Sequence, residues 1–566
     1  MKLKKKIILL FLPIFLLMLN TGTIIIKAVD ESNLNQIFLK SFDSEVASYL
    51  LSVVNTKDNY YVAVGSIDNV GEKNLGWIVK VDDQGNTIFS NKYKAPLFND
   101  VNDSSALLSI QESDDGGYIA CGRTYEKATG NTDGWIIKVD ANGNEIFSKQ
   151  YNSIDHMEDY FTSILKTSDG NYILSGATSG TTTNGSPIGN QDGWILKIDA
   201  NGNEIFSYQY GGTNNDYLSN IAENKDGSFI IVGSSASDVK DGLNKGSGDG
   251  WVLKIDANGH ELNSWLYGTD RYDHLSKVII DQDNNIYAVG DTEGVLPKET
   301  SPGGIDGWVL KLSYDGNVLF SKQYGNEDYE FMYGLTQDSN GDLMIAGLVY
   351  RNSSTDNDHN AFILNVDAKG NQLLYKEYGT KNVDLFYTIT KTKDNDYILV
   401  GLYNSPSENS NGNGWILKLG FRLAISYDNN GGQGQMSNQE TKFSQTTKLS
   451  KNTFTKEGYE FKGWATSKEN AQKGLIAYQN EASFVQSDKE DHVLYAVWQK
   501  VENNDNNNDN NGNNNDKQND DNKVINPDKG KILPKTGNDY HLLIITSILV
   551  GLSLLSIVNK EKLFNN

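Results

Sequence analysis

Five acidic side chains recur at one position of a repeated pattern and could together bind a cation or a polar ligand. Each stands at the entry to an apolar run, where the first two copies hold Ser48 and Ser105 instead: Asp159, Asp216, Asp273, Glu330 and Asp384. If these runs are the innermost strands of a ring, the carboxylates surround the mouth of its channel. The alternative is that each carboxylate accepts hydrogen bonds from backbone amides of its own turn.

A second motif marks one peptide bond near the C-terminus for chemistry. Its residues are Leu533, Pro534, Lys535, Thr536 and Gly537. The proline restricts the backbone to an extended, kinked form that an enzyme can grip. Residues 542–558 then form a stretch of 17 residues without a charge, long enough to span a bilayer core, and Lys560 and Lys562 follow it.

This ending resembles the cell-wall sorting signal of Gram-positive surface proteins. The resemblance implies that a sortase cysteine attacks the carbonyl of Thr536, that the segment from Gly537 onward leaves, and that a peptidoglycan amine resolves the acyl-enzyme. Sortase and peptidoglycan are therefore the expected partners, and the cell wall is the expected location of a secreted, peptidoglycan-anchored chain. The alternative is a tail-anchored membrane protein.

The N-terminus has the pattern of a secretory signal peptide over residues 1–28. Four lysines precede an apolar run at residues 7–19, which is too short for a comfortable membrane span. The small side chain of Ala28 favours cleavage between Ala28 and Val29; the alternative is an uncleaved anchor. Residues 499–532, rich in Asn and Asp, are predicted to be a disordered linker before the sorting signal.

Composition excludes several classes of function. The formal net charge of −23, from 73 acidic and 50 basic residues, argues against a nucleic-acid partner. Cys121 is the single cysteine, so no intrachain disulfide and no Cys-rich metal site can form. Its apolar neighbours predict a small buried core residue.

An internal repeat dominates residues 37–420 and predicts the fold. The phrase Asp-Gly-Trp, or a degenerate form of it, brings an aromatic residue to one position in each copy: Trp77, Trp135, Trp194, Trp251, Trp308, Phe362 and Trp415. Each copy holds four short apolar runs separated by turn residues, which indicates four strands. Seven such copies predict an all-β, seven-bladed β-propeller. The orphan run at residues 37–42 is predicted to close the ring by joining the last copy, which lacks a fourth strand.

Residues 423–498 break this period. The segments at residues 425–432, 458–464 and 494–498 resemble the internalin B-type (Listeria–Bacteroides) repeat. That resemblance implies a small β-grasp-like module with a spacer or adhesion role. From the residues alone, Tyr459, Phe461 and Trp464 are predicted to be core aromatics. The C-terminal order is therefore module, linker, sorting signal and transmembrane segment.

The predicted function is ligand binding or adhesion by a wall-anchored protein. Long loops at residues 177–191 and 234–248 share one face with the blade-to-blade crossovers, and such loops commonly carry binding. A host glycan or a matrix protein is the expected partner. The alternatives are a structural display scaffold and a carbohydrate-active propeller enzyme. No cofactor or metal is expected, since turn chemistry accounts for the Asp-Ala-Asn-Gly-Asn turns at residues 140–144 and 199–203.

Overall fold

The computed structural model describes residues 31–42, 47–69, 72–96, 103–297, 299, 303–351, 359–405 and 412–501. The predicted signal peptide, the linker beyond residue 501, the sorting motif and the segment at 542–558 lie outside these residues. Within the described ranges, no helix is long and apolar enough to cross a membrane. The described chain is almost entirely β-structure, with a 3₁₀ turn at Glu31–Asn33 and one short helix, α1, at Lys468–Gln472.

Six self-contained sheets, here called blades 1 to 6, each contain four antiparallel strands in chain order. Strand β1 (Leu34–Ser41) precedes them. Blade 1 contains β2 (Ser48–Asn55), β3 (Tyr61–Asn69), β4 (Glu72–Val81) and β5 (Thr87–Tyr93). Blade 2 contains β6 (Ser104–Glu112), β7 (Tyr118–Tyr125), β8 (Thr132–Val139) and β9 (Glu145–Tyr151). Blade 3 contains β10 (Asp159–Lys166), β11 (Tyr172–Thr178), β12 (Asp192–Ile198) and β13 (Glu204–Tyr210). Blade 4 contains β14 (Asp216–Glu223), β15 (Phe229–Ser235), β16 (Asp249–Ile255) and β17 (Glu261–Tyr267). Blade 5 contains β18 (Asp273–Ile280), β19 (Ile286–Thr292), β20 (Asp306–Leu312) and β21 (Val318–Tyr324). Blade 6 contains β22 (Tyr329–Gln337), β23 (Leu343–Tyr350), β24 (Asn360–Val366) and β25 (Gln372–Tyr378).

The recurrent Gly-Trp pair packs neighbouring blades together. The Trp308 side chain is fully buried, and its indole N–H donates to Ser321 Oγ at 2.9 Å. A Cβ added to Gly250 of the preceding blade would lie 2.5 Å from the Trp308 ring, so only glycine leaves room for it. Cys121 is also buried in the core, as predicted.

A further set of strands, here called the terminal sheet, combines the end of the repeat with the repeat module. It contains seven strands. Five of them pair in the order β26 (Val383–Lys391), β27 (Tyr397–Ser405), β28 (Asn413–Asp428), β33 (His492–Lys500) and β31 (Tyr459–Ala465). The other two, β1 and β29 (Gln439–Lys442), each pair with β28. Two short strands, β30 (Thr446–Lys448) and β32 (Ser483–Val485), form a separate pair in the module.

The prediction of seven separate blades is therefore wrong; the structure has six. The physical reason is the length of β28, which runs for 16 residues without a break. Its first half pairs with β27 and its second half with β29 and β33, so one strand belongs to both domains. The predicted domain boundary at residues 420–423 falls in the middle of this strand.

The predicted closure by the N-terminal strand is confirmed. Strand β1 pairs antiparallel with β28, with Ser41 opposite Trp415 and Leu34 opposite Phe421. The terminal sheet packs on both of its neighbours: Trp415 lies in one core cluster with residues of blade 6, and Ile416 lies in another with residues of blade 1. This pairing satisfies the edge of β28 that the missing fourth strand would leave open.

The module is fixed to the propeller by a buried lysine. Lys489 Nζ lies 2.6 Å from Asp338 Oδ2 and 2.9 Å from Asp342 Oδ2, in the turn between β22 and β23. The rings of Phe421 and Phe443 lie within 5.4 Å of the same nitrogen. The first strand of each blade runs from the long-loop face to the turn that follows it. Because the module contacts this turn in blade 6, it lies on the face opposite the long loops.

Candidate functional site at the channel mouth

The first strands of the blades line a central channel that opens on the long-loop face. The cavity at this opening, here called the mouth, has a volume of about 620 Å³. Its lining includes Tyr49, Arg123, Tyr160 and Tyr387, which come from different sheets. The propeller therefore brings together side chains that are far apart in sequence, as binding sites on this architecture require.

The five predicted acidic residues do occupy equivalent places at the start of the innermost strands, but their side chains are buried. Each accepts a hydrogen bond from a backbone amide of the preceding crossover, at 2.6–2.8 Å in four cases and 3.4 Å in one: Asp159 from Ser153, Asp216 from Gly212, Asp273 from Thr269, Asp384 from Thr380 and Glu330 from Asn326. This is the arrangement of the alternative interpretation, in which the carboxylates hold their own turns. A ligand ring formed by the five stays a prediction.

A second buried carboxylate stands near several of these acids. It is the aspartate of the Asp-Gly-Trp phrase in the preceding blade, so that Asp249 faces Asp273 and Asp306 faces Glu330. Burial, with the like charge added, raises the pKa of Asp273 to about 6 and that of Glu330 to about 7. Asp249 Oδ1 and Glu330 Oε1 have no hydrogen-bond partner within the described part of the chain. When both carboxylates of such a pair are ionised, they repel each other between the blades, which destabilises the folded chain.

The residues that follow the acidic positions face the mouth, because successive side chains of a strand point to opposite sides. At this level they are mostly aromatic: Tyr49, Tyr160, Tyr217, His274 and Phe331. Two residues further along, each first strand has a β-bulge, and the extra residue of the bulge also faces the channel. Thr162, Ser276, Tyr333 and Tyr387 are bulge residues that line the cavity below the mouth.

Polar groups accompany these rings. His274 Nε2 lies 2.9 Å from Ser219 Oγ, and its Nδ1 lies 3.6 Å from Asp291 Oδ1, so the imidazole is held in one orientation. The Arg123 side chain is exposed and has no ion-pair partner among the residues that the structure describes. The mouth thus offers aromatic faces beside an uncommitted guanidinium, which suits sugar rings, extended peptides and carboxylates.

The long loops are held at the rim of the mouth by the Asp-Gly-Trp aspartates. Asp192 accepts hydrogen bonds from the backbone amides of Ile188 and Gly189, at 2.7 and 2.9 Å. Asp249 accepts one from the amide of Lys245 at 3.1 Å. Each of these aspartates therefore fixes the end of a loop that the sequence predicts to lie on the binding face.

The remaining candidate ligands do not converge. Asp140 accepts the amides of Asn142 and Asn144, each at 2.8 Å, and Gly143 has φ +82°, which is the geometry of a hairpin turn. No group of three His, Cys, Asp or Glu side chains is placed to hold a metal ion within the described ranges. Burial raises the pKa of the Cys121 thiol well above its usual range, which keeps that sulfur protonated.

Sequence reasoning missed the aromatic mouth, although a signal was present. The aromatic residues directly follow the acidic positions in several copies, for example Tyr160 after Asp159 and Tyr217 after Asp216. Applying the two-residue alternation of a strand to the acidic side chains would have placed their neighbours in the channel.

Comparison with known proteins identifies the module and leaves the propeller unassigned. The sequence profile of the Listeria-Bacteroides repeat domain matches residues 424–497, which are therefore such a domain. The regulatory protein FlaEY of Caulobacter vibrioides is 26% identical over 191 residues, which make up 31% of this chain. The match spans only 20% of the length of that protein.

Among solved structures, two propellers illustrate the range of the likeness. The Pan2 WD40 domain of Neurospora crassa gives a TM-score of 0.42 at 11% identity, covering 69% of this chain and 97% of that one. An α-L-arabinofuranosidase from Fusarium graminearum, solved with an iminosugar inhibitor, gives 0.38 at 12% identity, covering 54% and 91%. Similarities this low say nothing about a ligand or an activity.

Proposed function

We propose that this chain is a bacterial surface protein, fixed to the cell wall through residues 533–537, that binds a ligand at the mouth of its propeller. The observation that carries the proposal is the mouth itself, where aromatic side chains lie beside the exposed Arg123, whose guanidinium has no ion-pair partner among the described residues. The module supports it, because Lys489 holds the module on the opposite face of the propeller. A chain anchored beyond its module would then present the mouth outward.

Anchoring is testable at the proposed cleavage bond. We expect Thr536→Ala in a sortase-positive Gram-positive host to move most of the protein from the covalent wall fraction to the membrane and the medium, because the sortase would have to recognise the threonine side chain to attack the adjoining carbonyl. Immunoblots of muramidase-released wall, membrane and medium fractions measure this. Ser553→Ala, beyond the cleaved bond, is the matched control and should behave as wild type. Equal wall release from both variants would contradict the proposal.

Ligand binding is testable with the mouth residues. We expect Tyr160→Ala and Arg123→Ala each to weaken binding to a glycan or matrix-protein hit at least tenfold, since central aromatic and arginine anchors commonly contribute about 2 kcal/mol or more. Surface plasmon resonance on hits from a glycan and matrix-protein array measures the loss. Tyr459→Ala is the control, because the Tyr459 side chain is 38% exposed on the module and the prediction that it is a core aromatic is wrong. Unchanged affinity in both mouth variants would place binding elsewhere.

A display scaffold without a specific ligand is the second candidate. The buried Lys489 contacts and the shared strand β28 favour it, because they make the propeller and the module one compact unit. An array without any saturable hit would support the scaffold. We also propose that the chain has no glycosidase activity, and turnover on a glycoside panel that is lost in Asp273→Asn would overturn this.

A further inference from the structure

The channel narrows to a waist below the mouth, and one lysine stands in it. The same six side chains line both a cavity of about 290 Å³ on the mouth side and a cavity of about 520 Å³ on the opposite side, so they encircle the passage between the two. They follow the bulges of the first strands: Ser52, Ser109, Ser163, Asn220, Lys277 and Thr388. Blade 6 contributes Gly334, which has no side chain.

Lys277 is the only ionisable side chain of this ring. Within the described part of the chain, its Nζ has no ion pair and no hydrogen bond. Burial alone lowers the pKa of Lys277 to about 8, so the amine remains largely protonated at neutral pH. The Lys277 side chain is half-buried in a narrow passage, so its ammonium loses part of its hydration, and proteins normally pair a desolvated charge with a counter-ion.

The other titratable groups along the passage do not supply a counter-ion. On the mouth side they are His274 and two tyrosines. On the opposite side the lining includes Glu223, whose carboxylate accepts hydrogen bonds from the backbone amide and the hydroxyl of Ser168 in the neighbouring blade. Among the described residues, none of them forms an ion pair or a hydrogen bond with the Lys277 amine, and burial is the cause of its lowered pKa.

The neighbours of Lys277 can donate hydrogen bonds. Asn220 Nδ2 donates to Ser163 Oγ at 2.9 Å, which leaves the Ser163 O–H free to donate into the passage. The hydroxyls of Ser52, Ser109 and Thr388 have no hydrogen-bond partner among the described residues. One cation beside several hydroxyl donors, without an acid in contact, is a recognition pattern for an anion with acceptor oxygens.

We infer that the waist binds a small carboxylate, whose oxygens pair with the Lys277 ammonium and accept hydrogen bonds from the surrounding hydroxyls. A carboxylate entering from the mouth passes Arg123 and Asp68, which line the opening, before it reaches the amine. The site does not depend on a macromolecular ligand at the mouth. Its occupant could be a free metabolite or the acidic group of a larger ligand, and the two sources share this chemistry.

Acetate is the probe, titrated into the full-length chain by calorimetry at neutral pH and low chloride. We expect one saturable site in the wild type and at least a tenfold loss of affinity in Lys277→Met. Lys225→Met, on the face opposite the mouth, should bind acetate as the wild type does. Tyr160→Ala should also retain acetate binding, which separates failure at the waist from failure at the mouth.

The amine itself provides a second readout. In protein labelled at the lysine side chains, NMR titration of Lys277 should show its pKa rising when acetate is added, because the carboxylate stabilises the charged form. Equal acetate affinity in wild type and Lys277→Met, or a Lys277 signal unaffected by acetate, would overturn the proposal. Binding of chloride in preference to acetate would also overturn the carboxylate assignment.

Discussion

Replacing Lys489 with methionine is expected to destabilise the folded chain by about 3–5 kcal/mol and to loosen the module from the propeller. The substitution keeps most of the apolar stem but removes the charge that two carboxylates share. Lys489 and Asp338 expose 3% and 1% of their side chains, and Asp342 exposes 17%. Removing one partner of a buried ion pair leaves an uncompensated charge, which accounts for the magnitude.

Urea denaturation of the full-length chain, followed by tryptophan fluorescence, measures the change, and hydrogen exchange locates it. Amides of the module at residues 488–492 should lose protection first. Lys473→Met is the matched control, since its ion pair with Glu469 is exposed and such pairs contribute little. The triple variant that adds Asp338→Asn and Asp342→Asn should recover part of the stability. A Lys489→Met chain as stable as the control would show that the Lys489 ion pairs do not hold the module on the propeller.

Stability is expected to fall as the pH rises from about 5 to 8, opposite to the usual behaviour of aspartate-rich proteins. Asp273 and Glu330 are almost fully buried, and their pKa values rise to about 6 and about 7 in the folded state. A carboxyl whose folded pKa lies above its unfolded value binds its proton more tightly when folded. The stability that this carboxyl contributes is therefore fully present below its unfolded pKa, near 4, and is lost as the pH rises through its folded pKa. A shift of about two units corresponds to about 3 kcal/mol for each group.

Thermal and urea unfolding at pH 5, 6, 7 and 8 measure this trend. Asp273→Asn and Glu330→Gln should each flatten it, and the Gln side chain can donate to the neighbouring acid and raise stability at pH 8. Asp283→Asn, on an exposed turn, is the control. Acids with depressed pKa values, such as Asp115 and Asp226 at about 2, lose their contribution only below pH 4. Stability that rises between pH 5 and 8 would contradict the expected charge state of the inter-blade pairs.

Much of the fold follows from the repeat. The Asp-Gly-Trp phrase placed the third strand of each blade, and the orphan run at residues 37–42 correctly indicated pairing with the last copy. The separation into seven blades failed at one place, because the strand that begins at Asn413 does not end where the repeat ends. Phe421, Leu423 and Ile425 continue its alternating buried pattern into the module. The end of the propeller repeat therefore marks the start of the module, but β28 continues across this boundary without a break.

The candidate site was less accessible to sequence reasoning. Acidic residues at equivalent positions suggested ligand chemistry, whereas their main contacts are with backbone amides of the crossovers. Lys277 was missed because it occurs in one copy only, where the others have serine, asparagine, threonine or glycine. In a repeat protein, the informative residue is then the one that departs from its equivalents, since the shared residues chiefly maintain the blade.

The continuity of β28 has a mechanical consequence if the chain is held at the wall. Strand β33, which leads toward the C-terminus, pairs in parallel with the second half of β28. A pull on the C-terminal end of β33 against a ligand held at the mouth then acts along both strands. The hydrogen bonds between them are loaded together in shear, instead of being opened one after another. Because β28 also pairs with β1, the same pull reaches the closure of the ring, so tension would be shared between the module and the propeller.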